Sequence, residues 1–177
     1  MIIPTQNYIK CYENILDPEV CKKIVEEDSH NFEDALTLDG IKSSQRRCYR
    51  KIIDKKFDPL IFEGAGKILQ LYLKEFKNLS FGLSCEDTGY DHLLYKGKEK
   101  GEYKEHVDHF DLHPRILSCS IILNDEYDGG DFSFFEGGYV VTKKTGSAVV
   151  FPSNFCFPHS VTPVTNGDRH AIVTWFH

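Results

Sequence analysis

Apolar residues in the first half of the chain recur at helical spacing. After Asp58-Pro59, apolar side chains return every three or four positions, which is the period of an amphipathic helix with one buried face. A shorter stripe of the same kind follows Asp17-Pro18. In each Asp-Pro pair, Asp is a suitable N-cap and Pro a suitable first helical residue. The pattern predicts two helices and assigns residues 1–88 mostly to helical support.

After about residue 88 the pattern becomes typical of β-strands. Segments are short and rich in β-branched and aromatic residues, with Gly, Asn, Asp and Pro between them. The predicted strands span residues 90–95, 115–123, 131–135, 139–142, 147–151, 159–164 and 169–176. Many short strands with well-marked turns indicate a sandwich or a barrel. We therefore predict an α+β, mainly β fold, in which helices precede a compact antiparallel β-unit at residues 89–177.

Length and composition favour one globular domain over residues 1–177. A chain of 177 residues is long enough to bury a core, and its net charge of −6 argues against a nucleic-acid binder. No apolar run approaches the roughly 20 residues of a membrane-spanning helix. The N-terminus lacks the features of a signal peptide, and the six cysteines are scattered, as is typical of reduced thiols. These features predict a cytoplasmic protein without a membrane partner, and a monomer is the favoured assembly.

One segment is strongly basic, although the chain as a whole is acidic. Residues 42–56 contain seven Lys and Arg side chains and a single acidic one, Asp54. A charge run of this kind is usually a solvated face. The alternative is a surface that receives an acidic partner, which Arg46, Arg47 and Arg50 would then contact.

The His-x-Asp pattern occurs twice in close succession, as His106/Asp108 and as His109/Asp111. Residues two apart on an extended chain leave the same face, so either pair could bind a metal ion. The two pairs have opposite registers and cannot serve the same ion. The first follows a strand-like run, whereas the second leads into a turn at Pro114. We therefore predict the first pair as metal ligands and expect the second near the substrate entrance.

A facial metal site needs a third ligand, and the downstream candidates are His113, His159, His170 and His177. His159 opens a predicted strand ten residues before Arg169, which opens the last strand. On adjacent antiparallel strands these two residues would face one cavity, while His170 would point the other way. Two His and one carboxylate suit non-haem Fe(II) and O₂ chemistry. A buried Arg beside them suits a carboxylate ligand.

Residues 90–177 contain several motifs in one continuous order. They include "LLYKGKEKGEYKEHVD", "RILSCSIILND", "YDGGDFSF" and "PHSVTPVTNGDRHAIVTWF". Together these stretches resemble the Fe(II)/2-oxoglutarate-dependent oxygenases of the prolyl 4-hydroxylase type. The resemblance implies a double-stranded β-helix, or jelly-roll, core with the N-terminal helices packed on one sheet. It also implies hydroxylation of a prolyl residue in a peptide or protein, with release of succinate and CO₂.

The same resemblance implies a role for each candidate residue. The implied Fe(II) ligands are His106, Asp108 and His159. Arg169 would pair with the far carboxylate of 2-oxoglutarate, Tyr95 would hydrogen-bond the same group, and Tyr103 would help line the pocket. The implied cofactors are Fe(II), 2-oxoglutarate and O₂, with ascorbate as a candidate reductant. Trp175 shares the predicted strand face of Arg169 and is expected to serve packing.

Two other interpretations stay open at this point. The same chemistry could act on a free amino acid or on another residue such as lysine. A jelly-roll binding module without activity is the other alternative. The complete ligand set together with Arg169 argues against the binding module, because a protein without catalysis has no need of a carboxylate-binding arginine there.

Overall fold

The computed structural model describes residues 4–37, 43–109 and 114–177, and the structural statements below concern these residues. Asp111 and His113, two residues considered for the metal site, lie outside the described residues. The same holds for the first residue of the basic stretch.

Two α-helices occupy the first half of the chain, α1 (Pro18–Glu27) and α2 (Asp58–Glu75). Asp17 caps α1 as predicted, because its carboxylate accepts a hydrogen bond of 2.8 Å from a backbone N–H of the first turn. At α2 the predicted cap is wrong by one residue. Phe57 occupies the cap, and Asp58 lies within the first turn, where its negative charge favours the helix dipole.

The described residues also form three 3₁₀ helices and fourteen strands. The 3₁₀ helices are Thr5–Tyr8, Lys77–Gly82 and Gly97–Glu99. The strands are β1 (Lys10–Tyr12), β2 (Glu33–Asp34), β3 (Arg46–Arg47), β4 (Tyr49–Ile52), β5 (Asp91–Lys96), β6 (Glu102–His106), β7 (Leu117–Ile122), β8 (Asp128–Gly129), β9 (Phe132–Phe134), β10 (Tyr139–Val140), β11 (Ala148–Pro152), β12 (His159–Val161), β13 (Val164–Asn166) and β14 (Asp168–Phe176). The hydrophobic pattern did not predict β1 to β4, because two to four residues are too few to establish a period.

Twelve of the described strands form two facing antiparallel sheets, and β8 and β13 form a separate antiparallel pair. The larger has the order β1-β11-β7-β14-β5-β4-β2 and the smaller the order β10-β9-β12-β6-β3. Buried side chains from both sheets meet between them, where Phe151 of β11 packs with Phe134 of β9, and Tyr95 of β5 packs with Val161 of β12. This architecture confirms the predicted mainly β fold with a double-stranded β-helix core.

Successive residues of β14 serve two different layers, because side chains alternate along a strand. Ile172 and Phe176 pack with Ile61 and Ile68 of α2 in the main hydrophobic cluster. The helices therefore cover one face of the larger sheet, as predicted. The intervening Val173 and Trp175 face the space between the sheets. One continuous strand thus contributes both to the core under the helices and to the wall of the inner cavity.

Most charges of the basic stretch are paired with acidic side chains. Arg47 forms an ion pair with Glu102, and Arg50 lies 3.0 Å from the Asp91 carboxylate. Further along, Lys56 pairs with a carboxylate of α1 at 2.7 Å. These pairs fit the solvated face that is the usual interpretation of such a run. Arg46 departs from this arrangement, because its guanidinium turns towards the space between the sheets.

None of the helices in the described part of the chain is both long and apolar enough to cross a membrane. All six cysteines are unpaired thiols.

A polar network lies buried on the helix side of the larger sheet. The His92 ring bridges the Asp28 carboxylate at 2.7 Å and the His170 ring at 3.0 Å, and Asp28 and His92 have no exposed surface. Lys51 donates to the other Asp28 oxygen at 2.7 Å. Burial by itself would raise the pKa of Asp28, but the hydrogen bonds from His92 and Lys51 hold it at about 2. The network therefore joins the end of α1 to strands β4, β5 and β14.

We expect acidification to destabilise the fold through His170. Burial, helped by the neighbouring His92, lowers the pKa of His170 from 6.5 to about 4. Between these values the unfolded chain binds a proton here that the folded chain does not. The stabilisation is therefore complete above pH 6.5 and is lost as the pH falls towards 4, by at most about 3 kcal/mol.

Urea unfolding of the unmodified protein and of His170→Gln, between about pH 7 and pH 4.5, measures this contribution. The variant should show a shallower loss of unfolding free energy over that range. His30→Gln is the control, because His30 is more than half exposed and its acidic neighbour is Asp54, at 3.7 Å, rather than Asp28. Equal slopes for all three proteins would contradict the prediction.

Candidate active site

The smaller sheet places two predicted metal ligands directly opposite each other. Strand β6 ends at His106, β12 begins at His159, and the two residues are register partners. Asp108 lies two residues beyond the end of β6. The three side chains present ligand atoms that all lie within 4.8 Å of one another. Cross-strand pairing thus brings a histidine distant in sequence to the His-x-Asp pair.

Asp108 lies between the two imidazole rings. Its Oδ1 is 3.5 Å from His106 Nε2, and its Oδ2 is 3.5 Å from His159 Nε2. The Nδ1 atoms donate to backbone carbonyls, that of His106 to Lys104 at 2.8 Å and that of His159 to Phe157 at 3.1 Å. A proton held on Nδ1 leaves the Nε2 lone pair of each ring free to bind a cation at the common point.

The protonation states of these groups suit a metal site. Burial lowers the pKa of His159 to about 4, although the nearby Asp108 carboxylate opposes this effect. Burial by itself would raise the pKa of Asp108, but the imidazoles of His159 and His106 and the Trp175 indole hold it well below its ordinary value. At neutral pH the site therefore offers a neutral imidazole beside a carboxylate, which is the form that binds a divalent ion.

Trp175 has a role beyond the packing that its position in the sequence suggested. Its indole Nε1–H donates to Asp108 Oδ2 at 3.0 Å. A partner of this kind fixes the orientation of a ligating carboxylate and tunes its basicity. The alternation along β14 indicated that Trp175 faces inwards. Its contact with Asp108 depends on how the two sheets are stacked, which no sequence pattern reports.

We expect Trp175→Phe to weaken metal binding about tenfold to a hundredfold, the range typical for loss of such a partner. Phenylalanine keeps an aromatic ring for the Arg115 guanidinium, which stacks on Trp175 at 3.7 Å, so only the N–H donor is removed. Anaerobic competition for Fe(II) with a coloured chelator measures the affinity. An affinity equal to that of the unmodified protein would show that the hydrogen bond does not support the ligand.

The two predicted tyrosines line the cavity together with the metal-ligand cluster. Tyr103 stacks on His106 with ring centroids 3.5 Å apart. Tyr95 is the register partner of Arg169, whose guanidinium carbon lies 5.0 Å from the Tyr95 ring centroid. Burial raises the pKa of Tyr95, so that its hydroxyl stays protonated and able to donate a hydrogen bond.

Arg169 is a buried cation without a charged partner among the described residues. It is 3% exposed, and its Nε makes no hydrogen bond. The Tyr127 hydroxyl lies close enough to the guanidinium to bond with it, and Ser120 Oγ, which lines the same cavity, is also buried without a partner. Unsatisfied buried donors are costly, so a ligand is expected to complete them. A carboxylate fits this set of donors, as a 2-oxoglutarate site requires.

The relation predicted between His159 and Arg169 is partly wrong. They do not lie on adjacent strands of one hairpin, because β12 belongs to the smaller sheet and β14 to the larger, with β13 between them in sequence. His159 lines the cavity between the sheets, and Arg169 lies against Tyr95, which lines the same cavity. His170 points the other way, as predicted, into the buried network with His92.

One cavity of about 570 Å³ joins these features. Its wall contains the three candidate ligands together with Tyr95, Tyr103 and Trp175. Apolar side chains complete the lining around the ligands, among them Phe132, Phe151, Val161 and Val173. A few converging polar groups within a largely apolar cavity are typical of a small-molecule site.

Sequence reasoning missed the roles of several residues in and near the cavity. Tyr127 begins the "YDGGD" motif of the family resemblance, but its contact with Arg169 was not predicted, and Arg115 was noted only as the start of a predicted strand. Arg46 was assigned to the surface run, yet its guanidinium turns inwards and lies 4.6 Å from the Tyr103 ring centroid. The alternation of apolar and polar residues along a strand shows which side chains face inwards, but it does not show which of these side chains contact one another.

The geometry brings two histidines and one carboxylate together as a candidate mononuclear metal site inside a jelly roll. Residues 91–177, the part that carries every predicted site residue, match the family model of the 2OG-Fe(II) oxygenase superfamily. The chain belongs to this superfamily.

Individual relatives agree with this assignment. A PKHD-type hydroxylase of Verminephrobacter eiseniae is 36% identical over 91 residues, which cover 45% of this chain and 39% of the relative. A putative prolyl 4-hydroxylase of Acanthamoeba polyphaga mimivirus is 26% identical over 92% of this chain and 71% of the relative. The chain thus spans well under half of the first relative's length.

A solved structure extends the similarity of fold to nearly the whole chain. The prolyl-4-hydroxylase of Pseudomonas putida superposes with a TM-score of 0.72 at 23% identity, covering 96% of this chain and 92% of the other. The N-terminal helices, which carry no recognisable motif, are therefore part of the shared architecture.

Proposed function

We propose that this protein is an Fe(II)- and 2-oxoglutarate-dependent dioxygenase that hydroxylates a prolyl residue in a peptide or protein. The observation that carries the proposal is the convergence of His106, Asp108 and His159 in one cavity with the unpaired Arg169 beside it. A non-catalytic binding module would have no need for both a complete set of metal donors and a buried cation without a charged partner.

In this proposal His106, Asp108 and His159 hold Fe(II) from one side and leave the opposite side open to ligands. When bound, Fe(II), O₂ and 2-oxoglutarate supply the oxidation of an unactivated C–H bond, and 2-oxoglutarate is converted to succinate and CO₂. Trp175 keeps the Asp108 carboxylate in position. The imidazole of His106 is held from behind by the Tyr103 ring.

Arg169 receives the far carboxylate of 2-oxoglutarate. Its unpaired Nε donates to that carboxylate, and the Tyr127 hydroxyl is free to donate to it as well, since it accepts from the guanidinium. Tyr95 lies on the register partner strand and keeps its hydroxyl proton. A planar guanidinium with adjacent hydroxyl donors fixes the orientation of a carboxylate, and so places the other end of the molecule at the metal.

The surrounding side chains keep water away from the reacting centre. Phe132, Phe151 and Val173 line the cavity around the ligands and offer no hydrogen bonds. In such a site the protein contributes orientation and dryness, while the bound metal and co-substrates carry the oxidation.

The choice of prolyl residues as substrate rests on the names of the relatives, two of which are prolyl 4-hydroxylases. The decisive experiment combines purified protein, Fe(II) and 2-oxoglutarate with a proline-containing peptide, with and without ascorbate. We expect succinate release that depends on the peptide, and a gain of one oxygen on proline by mass spectrometry.

Each other result points to a different function. Succinate release that no peptide stimulates, but a free amino acid or a lysine-containing peptide does, would replace the proposed substrate. No turnover under any of these conditions would leave the binding module as the explanation.

A further inference from the structure

Two arginines of the cavity, Arg46 and Arg115, lack an acidic side chain to pair with. Neither forms an ion pair with a carboxylate group among the described residues, whereas Arg50, which lines the same cavity, pairs with Asp91 at 3.0 Å. Their neighbour Arg47 pairs with Glu102 on the outside of the sheet. The two unpaired arginines therefore differ from the rest of the basic stretch and its surroundings.

Arg46 lies on the metal-ligand side of the cavity. Its guanidinium covers the Tyr103 ring, which itself stacks on His106. It donates to the Leu36 carbonyl at 3.0 Å and to Cys48 Sγ at 3.3 Å, both of which are uncharged. These contacts hold the guanidinium in place without neutralising it.

Arg115 also lines the cavity. Its guanidinium stacks on Trp175, and one nitrogen donates to the backbone carbonyl of Asp108 at 3.3 Å. Burial lowers the pKa of Arg115, the carboxylates of Asp108 and Asp91 act against this effect, and the charge of Arg46 acts with it. Both guanidiniums line the same cavity, so an anion bound between them would offset their mutual repulsion.

The charges expected when the metal and 2-oxoglutarate are bound do not supply this anion. Among the described residues that line the cavity, the carboxylates are Asp91 and Asp108. Asp91 already serves Arg50, and Asp108 serves the metal. The dication and Arg169 together offset Asp108 and the two carboxylates of 2-oxoglutarate. Among the described residues that line the cavity, the charges of Arg46 and Arg115 are then left without a matching anion.

We propose that Arg46 and Arg115 form a carboxylate-binding subsite that selects substrates with an anionic group close to the carbon that is hydroxylated. This inference rests on the proposed function and narrows its substrate class. A guanidinium pair held by stacking and by neutral acceptors has donors left for a carboxylate and little conformational entropy to lose.

The carboxylate can come from an acidic residue next to the target proline or from the α-carboxylate of proline itself. The mouth of the cavity favours the first source. Leu36 and Ile52 line it and are 44% and 72% exposed, which offers apolar contact to a longer ligand than a free amino acid. The preferred substrate is therefore a peptide segment with Asp or Glu beside the proline.

The test compares peptides that differ only at the residue beside proline, which is Asp or Glu, the matching amide Asn or Gln, or Lys. Free L-proline forms a separate arm. Hydroxylation is followed by mass spectrometry as kcat/KM. We expect acidic peptides to exceed the amide peptides about tenfold to a hundredfold, as for a charge-assisted hydrogen bond that is gained or lost. A higher kcat/KM with free L-proline than with the peptides would support the subsite, but would identify the α-carboxylate of proline as the group that it binds.

Variants show whether the preference belongs to these arginines. Arg46→Gln and Arg115→Gln should each reduce the ratio of acidic to amide peptide, and Arg46→Glu should favour the Lys peptide. Arg47→Gln is the matched control, because it removes a neighbouring charge outside the cavity and should leave the ratio unchanged. Ratios within one variant are independent of the fraction of active protein, so partial unfolding does not obscure the result.

The two proposals fail in different ways. Equal hydroxylation of acidic and amide peptides, or a ratio that survives Arg46→Gln, would overturn the subsite and leave prolyl hydroxylation standing. If no peptide is hydroxylated, the proposed function fails. Fluorescence anisotropy with labelled versions of the same peptides then tests the subsite separately from turnover. The subsite proposal predicts that the acidic peptide binds more tightly and that this difference is lost in Arg46→Gln.

Discussion

His106→Ala is expected to abolish turnover, while His109→Ala should reduce it at most a few fold. His106 is one of the three donors that the described residues bring to the candidate metal site. Its removal should therefore cost more than the ten- to hundredfold that is typical for a partner that merely orients a ligand. His109 is exposed and lies outside the cluster of ligand atoms. The pair of variants therefore separates the two His-x-Asp motifs.

Two measurements check this prediction. Bound iron is determined after anaerobic loading and gel filtration, and succinate release is followed with the same samples. His109→Ala serves as the control, because it removes the same side chain three positions further along the chain. Loss of iron in His109→Ala with retention in His106→Ala would assign the metal site to the second His-x-Asp pair and refute the proposed ligand set.

The second large effect is expected at Arg169. Arg169→Gln should weaken binding of 2-oxoglutarate by about a hundredfold or more, because it removes a buried, hydrogen-bonded charge from one side of an ion pair. Tyr127→Phe should weaken it less, by about tenfold, since only one hydroxyl donor is lost. Arg169→Lys should fall between the unmodified protein and Arg169→Gln, because lysine keeps the charge but not the planar fork.

Calorimetric titration of metal-loaded protein with 2-oxoglutarate measures these affinities without relying on turnover. Tyr49→Phe is a suitable control, since Tyr49 bonds to Glu99 on the surface, away from Arg169. If Arg169→Gln binds 2-oxoglutarate as tightly as the unmodified protein, the co-substrate lies elsewhere, and the unpaired Nε needs another explanation.

Much of the candidate site can be predicted from local features of the sequence. The spacing of His106 and Asp108 predicts a pair of ligands on one side of the chain, and the motifs up to Arg169 resemble one enzyme family. This prediction is possible because two residues that are two positions apart on a strand point to the same face, whatever the rest of the fold. The helices are predictable for the same reason, since a stripe repeating every three to four residues is contained within one segment.

Other features were beyond sequence reasoning, and each has a physical cause. Strands β3 and β4 are too short to show alternation, so the sequence did not show which side chain of the basic stretch turns inwards. The separation of His159 and Arg169 into different sheets depends on where the chain crosses between layers. The hydrogen bond from Trp175 to Asp108 joins residues 67 positions apart, and such contacts are set by packing rather than by period.

The sequence by itself determined the class of fold, the order of helices and strands, the His-x-Asp pair and the arginine expected to bind a carboxylate, because local spacing and composition decide these. Only the tertiary structure decided which residues meet. It paired His106 with His159 across two strands, placed Tyr127 beside Arg169, and turned Arg46 inwards while its neighbour Arg47 found an acidic partner outside. These arrangements follow from long-range packing and charge pairing, in which the nearest neighbours lie far apart along the chain.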